Sequence, residues 1–367
     1  MSEPIRVLHI LQRMEAGGTQ ALLMNIYRKI DRSKIQFDFL VVYKEDQFYD
    51  EEIKQLGGNL YKMSFREDLN LFKFKQDLNL FFKKHKEYQI VHCHAYTFGY
   101  WCLKEAKRVG IQTRIVHSHS NGMTNDNKKI IKKIMQKLFL KYSTDYFACS
   151  EEAGRFLFGE KKFKILPNAI DSSKFIASDK IRKNIRNELM LSDKFVIGHV
   201  GRFQPEKNHF FLLEVFCEIN KLKNNSILLL IGSGPLEKKV KIRAKELNIE
   251  DKVIFLQNRK DINRIYQAMD VFIFPSLYEG LGIVAIEAQA SGIPIVCSDR
   301  IPKETNITPL YERLSLSKKA KEWAIESINI SNHPFVHNDM SNYILESGFD
   351  LTLTVEMLQE FYDKCTG

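Results

Sequence analysis

Glu279 and Glu287 stand with seven residues between them in the stretch F-P-S-L-Y-E-G-L-G-I-V-A-I-E-A-Q-A-S-G-I-P-I-V-C-S-D, residues 274–299, Gly280 and Gly282 among the seven. Ionised carboxylates repel phosphate, but they accept hydrogen bonds from sugar hydroxyls. The turn beside them suits the opposite partner. A helix opening near Gly282 leaves the N–H groups of Leu281, Gly282 and Ile283 without intrahelical acceptors, at the positive end of its dipole, where an anionic phosphate is stabilised. The set therefore reads as a nucleotide-sugar site: amides for a diphosphate, Glu279 for a hexose and Glu287 for a ribose. Two solvated glutamates on a surface helix are the plainer alternative. The flanking apolar run argues against it, because it puts both acids at the carboxyl end of a buried strand.

Two cations could complete such a site. Arg202 and Lys207 lie in G-R-F-Q-P-E-K-N, just after an apolar run. Arginine offers a planar fork to phosphate oxygens and lysine a compact charge, so the pair can hold a diphosphate and stabilise it as it leaves. Basic residues near a turn are otherwise simply solvated. Gly17 and Gly18 follow the first apolar run, and Gly232 and Gly234 follow another in G-S-G-P. Glycine pairs there let a ligand approach the backbone, or merely make a turn. Four histidines, His92, His94, His117 and His119, close two further runs. Residues two apart on a strand share a face, which invites a zinc reading, yet no carboxylate or further cysteine completes a standard ligand spacing. They read better as residues bordering a cleft.

The elements that must position these residues follow from periodicity. Ile5 to Leu11, Phe37 to Val42, Gln89 to Cys93, Gln112 to Val116 and Asp145 to Ser150 are short β-branched or aromatic runs. They alternate with helical stretches at Gln20 to about Ile30 and Tyr100 to Val109, the pattern of a parallel α/β sheet. A short strand and turn, I-L-P-N-A-I-D at 165–171, precedes a restart of the alternation. Phe195 to Val200, Ser226 to Ile231, Lys252 to Leu256 and Val271 to Phe274 then form a second sheet. A helix spans Ile283 to Ala290, closed by Gly292 and Pro294, and a last one spans Leu351 to Tyr362. The expected division is residues 1–175, 176–340 and a helical tail at 341–367. Lys128 to Lys141 sets isoleucines and leucines against lysines; such a helix lies on an anionic bilayer or packs outside the sheet, and Leu71 to Lys86 carries the same ambiguity.

P-S-L-Y-E-G-L-G-I-V-A-I-E-A-Q-A-S-G-I-P-I-V resembles the E(x)7E signature of the family 4 retaining glycosyltransferases, and G-R-F-Q-P-E-K-N, G-S-G-P and N-A-I-D resemble the same family's motifs. The resemblance implies the GT-B fold, two Rossmann-like parallel-sheet domains facing an interdomain cleft, with acceptor bound by the first and nucleotide sugar by the second. It implies a metal-independent hexosyltransferase that retains anomeric configuration, with His119, Arg202, Lys207 and Glu279 at the reacting centre. Gly17, Gly18, Gly232, Gly234, Arg259, Gly280, Leu281, Gly282, Ile283 and Glu287 would surround the donor. Many relatives carry an acid where this chain has Gln20. I-R-V-L-H-I-L, M-N-I-Y-R-K-I-D, F-D-F-L-V and S-D-R-I-P-K-E-T-N are similar to bacterial capsular and exopolysaccharide enzymes. These imply UDP-hexose as donor and a lipid-linked saccharide as acceptor at the inner membrane face.

Composition sets the outer bounds. The chain has 367 residues, 44% of them hydrophobic, enough for two domains with cores of their own. No run has the roughly 18 apolar residues of a membrane span and the N-terminus lacks a signal-peptide layout, so the expectation is a cytoplasmic protein, with peripheral membrane contact compatible. Six cysteines without a C-x-x-C read as reduced thiols. The charge of +10 favours anionic partners. Two other readings share these bounds: a GT-B sugar-nucleotide epimerase, and a basic nucleic-acid binder, against which stands the lack of any recognition motif.

Overall fold

The computed structural model describes residues 3–15, 17–65, 69–95, 98–119, 138–257 and 259–366. The chain divides into two compact units, residues 1–169 with 351–367, and residues 170–350.

The first unit runs β1 (Ile5–Ile10), α1 (Gly18–Lys29), β2 (Ile35–Val41), α2 (Asp50–Gln55), β3 (Leu60–Lys62), α3 (Leu71–Lys84), β4 (Ile90–Cys93), α4 (Gly99–Arg108), β5 (Thr113–Ser118), β6 (Asp145–Ala148), α5 (Glu151–Phe158) and β7 (Lys164–Ile165). Its strands form a parallel sheet in the order β3-β2-β1-β4-β5-β6-β7. Side chains alternate between the faces of a strand. Val7, Phe37, Phe39, Ile90 and Ile115 accordingly face one apolar layer, and Leu8, Leu40, Val91 and Val116 face the other. The chain's last helix, Leu351–Thr366, joins the first layer through Leu351, Val355, Leu358, Phe361 and Tyr362.

The second unit runs α6 (Asp179–Glu188), β8 (Phe195–Val200), α7 (His209–Leu222), β9 (Ser226–Ile231), α8 (Glu237–Glu246), β10 (Val253–Leu256), α9 (Ile262–Tyr266), β11 (Val271–Phe274), α10 (Ile283–Ala290), β12 (Ile295–Ser298), β13 (Tyr311–Leu314), α11 (Ala320–Ile330) and α12 (Ser341–Glu346). Its parallel sheet has the order β10-β9-β8-β11-β12-β13. In both sheets the order turns around its founding strand. β1 lies between β2 and β4, and β8 between β9 and β11, so each sheet has a switch point where ligands of doubly wound folds bind at the strands' carboxyl ends.

Several expectations need adjustment. The division falls at Ala169, before residue 175, because Ile170 already pairs with Asp350 and Ser172 Oγ donates to Asp350 Oδ2 at 2.5 Å. For the same reason residues 341–350 stay with the second unit, and only the segment from Leu351 returns to the first. The first helix starts at Gly18, two residues before Gln20, since Gly17 has the extended conformation of an N-cap. Strands β3, β12 and β13 and helices α2, α5, α6, α7, α9, α11 and α12 escaped the periodicity reading, whereas the turn G-S-G-P does lead into a helix, α8. Residues 128–137 of the basic stretch at 128–141 lie outside the described residues. Among the described residues, no helix is long and apolar enough to cross a membrane.

Candidate active site

β8 and β11 deliver their carboxyl-end loops side by side at the switch point of the second sheet. The loop after β8 makes a short 3-10 turn, Pro205–Lys207, and leaves it through Asn208 in the left-handed region at φ 55°. Two bonds then tie it to the loop after β11. Asn208 Nδ2 donates to the Pro275 carbonyl at 3.2 Å, and the Leu277 N–H donates to the Glu206 carbonyl at 2.7 Å. This brings Lys207 to Glu279: Nζ lies 2.5 Å from Oε1, with both side chains largely buried. The ammonium also lies 5.2 Å from the centre of the Phe274 ring. The two residues assigned to different groups of a substrate are thus partners of each other in the free protein. Arg202 is exposed, and no described residue accepts a hydrogen bond from it.

The acidic turn has the expected form. Gly282 takes φ 84° and caps α10, whose eight residues run from Ile283 to Ala290. No hydrogen bond among the described residues engages the N–H groups of Leu281, Gly282 and Ile283. Gly280 is partly exposed and Leu281 is buried. Glu287, about one turn along α10, accepts a hydrogen bond from the hydroxyl of fully buried Tyr266 at 2.9 Å. Burial raises the Glu287 carboxyl to about 7, although Tyr266 pulls the other way. Tyr266 is a residue that sequence reasoning missed. Its only signal was position, eight residues before the Phe274 that ends β11.

The glycines of G-S-G-P have a reason inside the protein. A Cβ on Gly232 would sit 2.2 Å from the Gly201 carbonyl oxygen, and one on Gly234 2.6 Å from the Phe203 nitrogen. Their absence lets the β9 loop seat against the β8 loop, with the Phe203 N–H donating to Ser233 O at 3.0 Å. Arg259, partly exposed, makes a bidentate bond to Asp261, at 2.7 and 2.9 Å, and a longer one to Glu188 at 3.4 Å.

In the first unit Gly17 and Gly18 open α1. Gln20, the position where relatives often have an acid, donates from Nε2 to the Arg13 carbonyl at 2.9 Å and so braces the loop. A Cβ on Gly17 would meet Gln20 Oε1 at 2.7 Å, whereas one on Gly18 would meet nothing, so the protein itself gives no steric reason for a glycine there.

The histidine group is larger than four. Period-two alternation puts His9 of β1, His92 and His94 at the end of β4, and His117 and His119 at the end of β5 on one face of the sheet, with His9 directly opposite His92 in the ladder. His9 was overlooked because V-L-H-I-L reads as a plain core strand. His9 Nδ1 lies 3.1 Å from His94 Nε2, His94 Nδ1 lies 2.7 Å from His119 Nε2, and His92 Nδ1 lies 2.7 Å from the Tyr362 hydroxyl. Burial drives all five below the ordinary range of histidine, His9 and His119 to about 3, so they are neutral. His92 and His94 are hydrogen-bonded as structural histidines should be. His117 is not, for among the described residues neither of its ring nitrogens has a partner.

His9, His92 and His94, and likewise His94, His117 and His119, bring ring nitrogens within 4.8 Å of one another, close enough to raise the zinc question again. The geometry of the shortest pairs answers it. Ring centres of His9 and His94 are 5.3 Å apart, and those of His94 and His119 5.0 Å. In each pair this exceeds the N···N distance by about two ring radii, so the nitrogens lie on the line joining the centres. Their lone pairs oppose each other, as in a hydrogen bond, rather than converging on one ion.

Residues 16–174 match the family described as Glycosyltransferase Family 4, and residues 181–331 match Glycosyl transferases group 1. The chain is 37% identical to the putative glycosyltransferase EpsF of Bacillus subtilis (strain 168), over 87% of this chain and 86% of that one. The chain belongs to the family 4 glycosyltransferases. This glycosyltransferase is also 25% identical to an Escherichia coli UDP-Gal:alpha-D-GlcNAc-diphosphoundecaprenol alpha-1,3-galactosyltransferase, over 80% of its length and 79% of the relative's. In fold it is similar to Anabaena HepE, solved in complex with UDP and glucose. The TM-score is 0.81 and identity 16%, covering 98% of this chain and 99% of that one, so the glycosyltransferase has the GT-B fold. The relatives are transferases, and neither the epimerase nor the nucleic-acid reading finds support among them.

Proposed function

We propose that this glycosyltransferase moves a hexose from UDP-hexose to a hydroxyl of a lipid-linked saccharide, with retention and without a metal ion. The observation that carries the reading is the Lys207–Glu279 pair at the β8/β11 switch point, beside the open amides of Leu281, Gly282 and Ile283 and the unpaired Arg202. A nucleoside diphosphate would draw Lys207 toward its phosphates, joined by Arg202, and free Glu279 to accept hydrogen bonds from the sugar. Glu287 takes the ribose hydroxyls and His119 a sugar hydroxyl. As the bond from the anomeric carbon to the phosphate oxygen breaks, the two cations and the amides hold the charge gathering on the diphosphate. The acceptor oxygen bonds to the anomeric carbon on the departing side, and its proton passes to a phosphate oxygen.

A lipid-linked acceptor is supported by the undecaprenol-linked substrate in the name of the Escherichia coli relative. Contact with an anionic bilayer is supported by α3. Its stripe of Phe74, Leu78, Phe81 and Phe82 is buried, yet Phe72 and Leu80 stay exposed among Lys73, Lys75, Lys83 and Lys84. The test is a donor panel of UDP-glucose, UDP-galactose, UDP-N-acetylglucosamine and GDP-mannose screened by thermal shift, then transfer to an undecaprenol-linked acceptor. A UDP-sugar should stabilise the protein and be consumed, and Glu279→Ala should abolish turnover. Stabilisation by none of the four, or full turnover in Glu279→Ala, would refute the assignment.

A further inference from the structure

His199 takes no part in the chemistry above, yet it lies against the stem of Lys207. The ring is fully buried near the carboxyl end of β8, and its Nδ1 stands 2.9 Å from the Ile273 carbonyl oxygen of β11. A carbonyl only accepts, so Nδ1 carries a proton. Burial lowers the ring to about 4 and keeps it neutral, which leaves Nε2 as a bare acceptor. That nitrogen is buried and has no hydrogen-bond partner among the described residues. Gly201 shows what stands beside it. A Cβ there would meet His199 Nε2 at 3.1 Å and the last two carbons of the Lys207 stem, Cδ and Cε, at 3.3 and 3.4 Å. Gly201 is outside the left-handed region, so the backbone does not call for glycine; the missing side chain leaves a gap that the lone pair and the lysine stem both border. His209, with its ring centre 4.9 Å away, makes no bond to His199, for both of its own nitrogens lack partners among the described residues.

We propose that His199 is the positioning residue of Lys207: when the donor occupies Glu279, the ammonium leaves that carboxylate and gives one N–H to the bare Nε2, keeping two for the diphosphate. The donor-bound half rests on the reading of Lys207 as a diphosphate contact; the exchange of partners does not. The two partners differ in charge. A carboxylate at 2.5 Å offsets the lysine charge, as it does in the free protein, whereas a neutral imidazole fixes the ammonium and leaves its whole charge to face the phosphates.

The exchange is tested on the full-length protein labelled with nitrogen-15 histidine, by long-range proton–nitrogen correlation. The His199 signals are assigned by their loss in His199→Phe or, should that variant fail to fold, by their displacement in Gly201→Ala, which puts a methyl group against Nε2 and keeps every polar side chain. In the free wild type Nδ1 should be protonated and Nε2 bare, without a hydrogen bond. Glu279→Ala removes the carboxylate, so Nε2 should move upfield, as a bare imidazole nitrogen does on accepting a hydrogen bond. UDP bound to the wild type should move it likewise, and Glu279→Ala/Lys207→Met should return it. Kinetically, His199→Phe and Gly201→Ala should lower kcat by about tenfold, with the donor KM within about twofold, as expected when a group that acts in the transition state is misplaced. Packing damage alone would lower the melting temperature without moving Nε2 in Glu279→Ala. An Nε2 already hydrogen-bonded in the free wild type, unmoved in Glu279→Ala, or still shifted in the double variant, where His209 would be the donor, would overturn the proposal. So would UDP that binds by calorimetry and leaves Nε2 unmoved. UDP that does not bind, with Nε2 still shifted in Glu279→Ala, would refute the diphosphate reading and leave the exchange standing.

Discussion

Donor binding should switch off on mild acidification, through Glu287. Among the described residues the Tyr266 hydroxyl is the one hydrogen-bond donor to the Glu287 carboxyl, and burial raises the carboxyl from 4.5 to about 7. A protonated carboxyl accepts less well and offers a competing proton, so ribose hydroxyls favour the ionised form. The ionised fraction is about nine-tenths at pH 8 and about one-tenth at pH 6, and affinity scales with the competent fraction, giving about tenfold weaker binding at pH 6. UDP-glucose is the ligand to titrate by calorimetry, because its diphosphate diester has no group that changes charge in this range. The buried histidines do not interfere, since His119 lies near 3 and His199 near 4. Tyr266→Phe removes a bond that favours the carboxylate and should move the midpoint to higher pH; Glu287→Gln should bind weakly with no pH dependence. The sign in the absence of ligand is opposite. A carboxyl raised in the folded state binds more protons there than when unfolded, so its contribution to stability declines as pH rises from 4.5 to about 7. Affinity that is flat from pH 6 to 8, or a slope that persists in Glu287→Gln, would refute the reasoning.

Lys207→Ala leaves Glu279 buried without its partner and should lower stability in urea by about 3 kcal/mol, with part recovered in Lys207→Ala/Glu279→Gln; equal losses in single and double variants would show that the pair is not coupled. Gly232→Ala puts a Cβ against the Gly201 carbonyl at φ 141°, and should cost about 2 kcal/mol or more while displacing Arg202, so nucleotide affinity should fall together with melting temperature. Tyr362→Phe removes the hydroxyl that bonds His92 Nδ1 and should destabilise the protein by about 1–3 kcal/mol without changing donor affinity, checked by chemical denaturation and calorimetry.

Much of the fold was legible, for a specific reason. Strands of a covered parallel sheet are short apolar runs, and Phe195–Val200, Ser226–Ile231 and Val271–Phe274 stand out from the helices between them. β13, with Tyr-Glu-Arg-Leu, was missed because an edge strand needs only one neighbour and tolerates charge. The helix Ile283–Ala290 was legible at both ends, since Gly282 and Gly292 each occupy a left-handed conformation that other residues avoid. In the site, residue types could be read and pairings could not. The resemblance places Arg259 around the donor, but not its partners: Asp261 lies two positions on and Glu188 comes from another helix.

The order of residues along the chain was enough to establish the family, the two runs of β-α alternation and the amide-lined turn between Glu279 and Glu287, because each depends on neighbours within a few positions. Three things came only from the folded chain. Lys207 faces Glu279 because two loops are tied at a switch point; Tyr266 reaches Glu287 because α9 and α10 pack together; and His9 joins the other histidines because β1 lies beside β4. All three join residues from separate stretches of the chain. Contacts of that kind arise from sheet order and side-chain burial, which no local pattern of residues encodes.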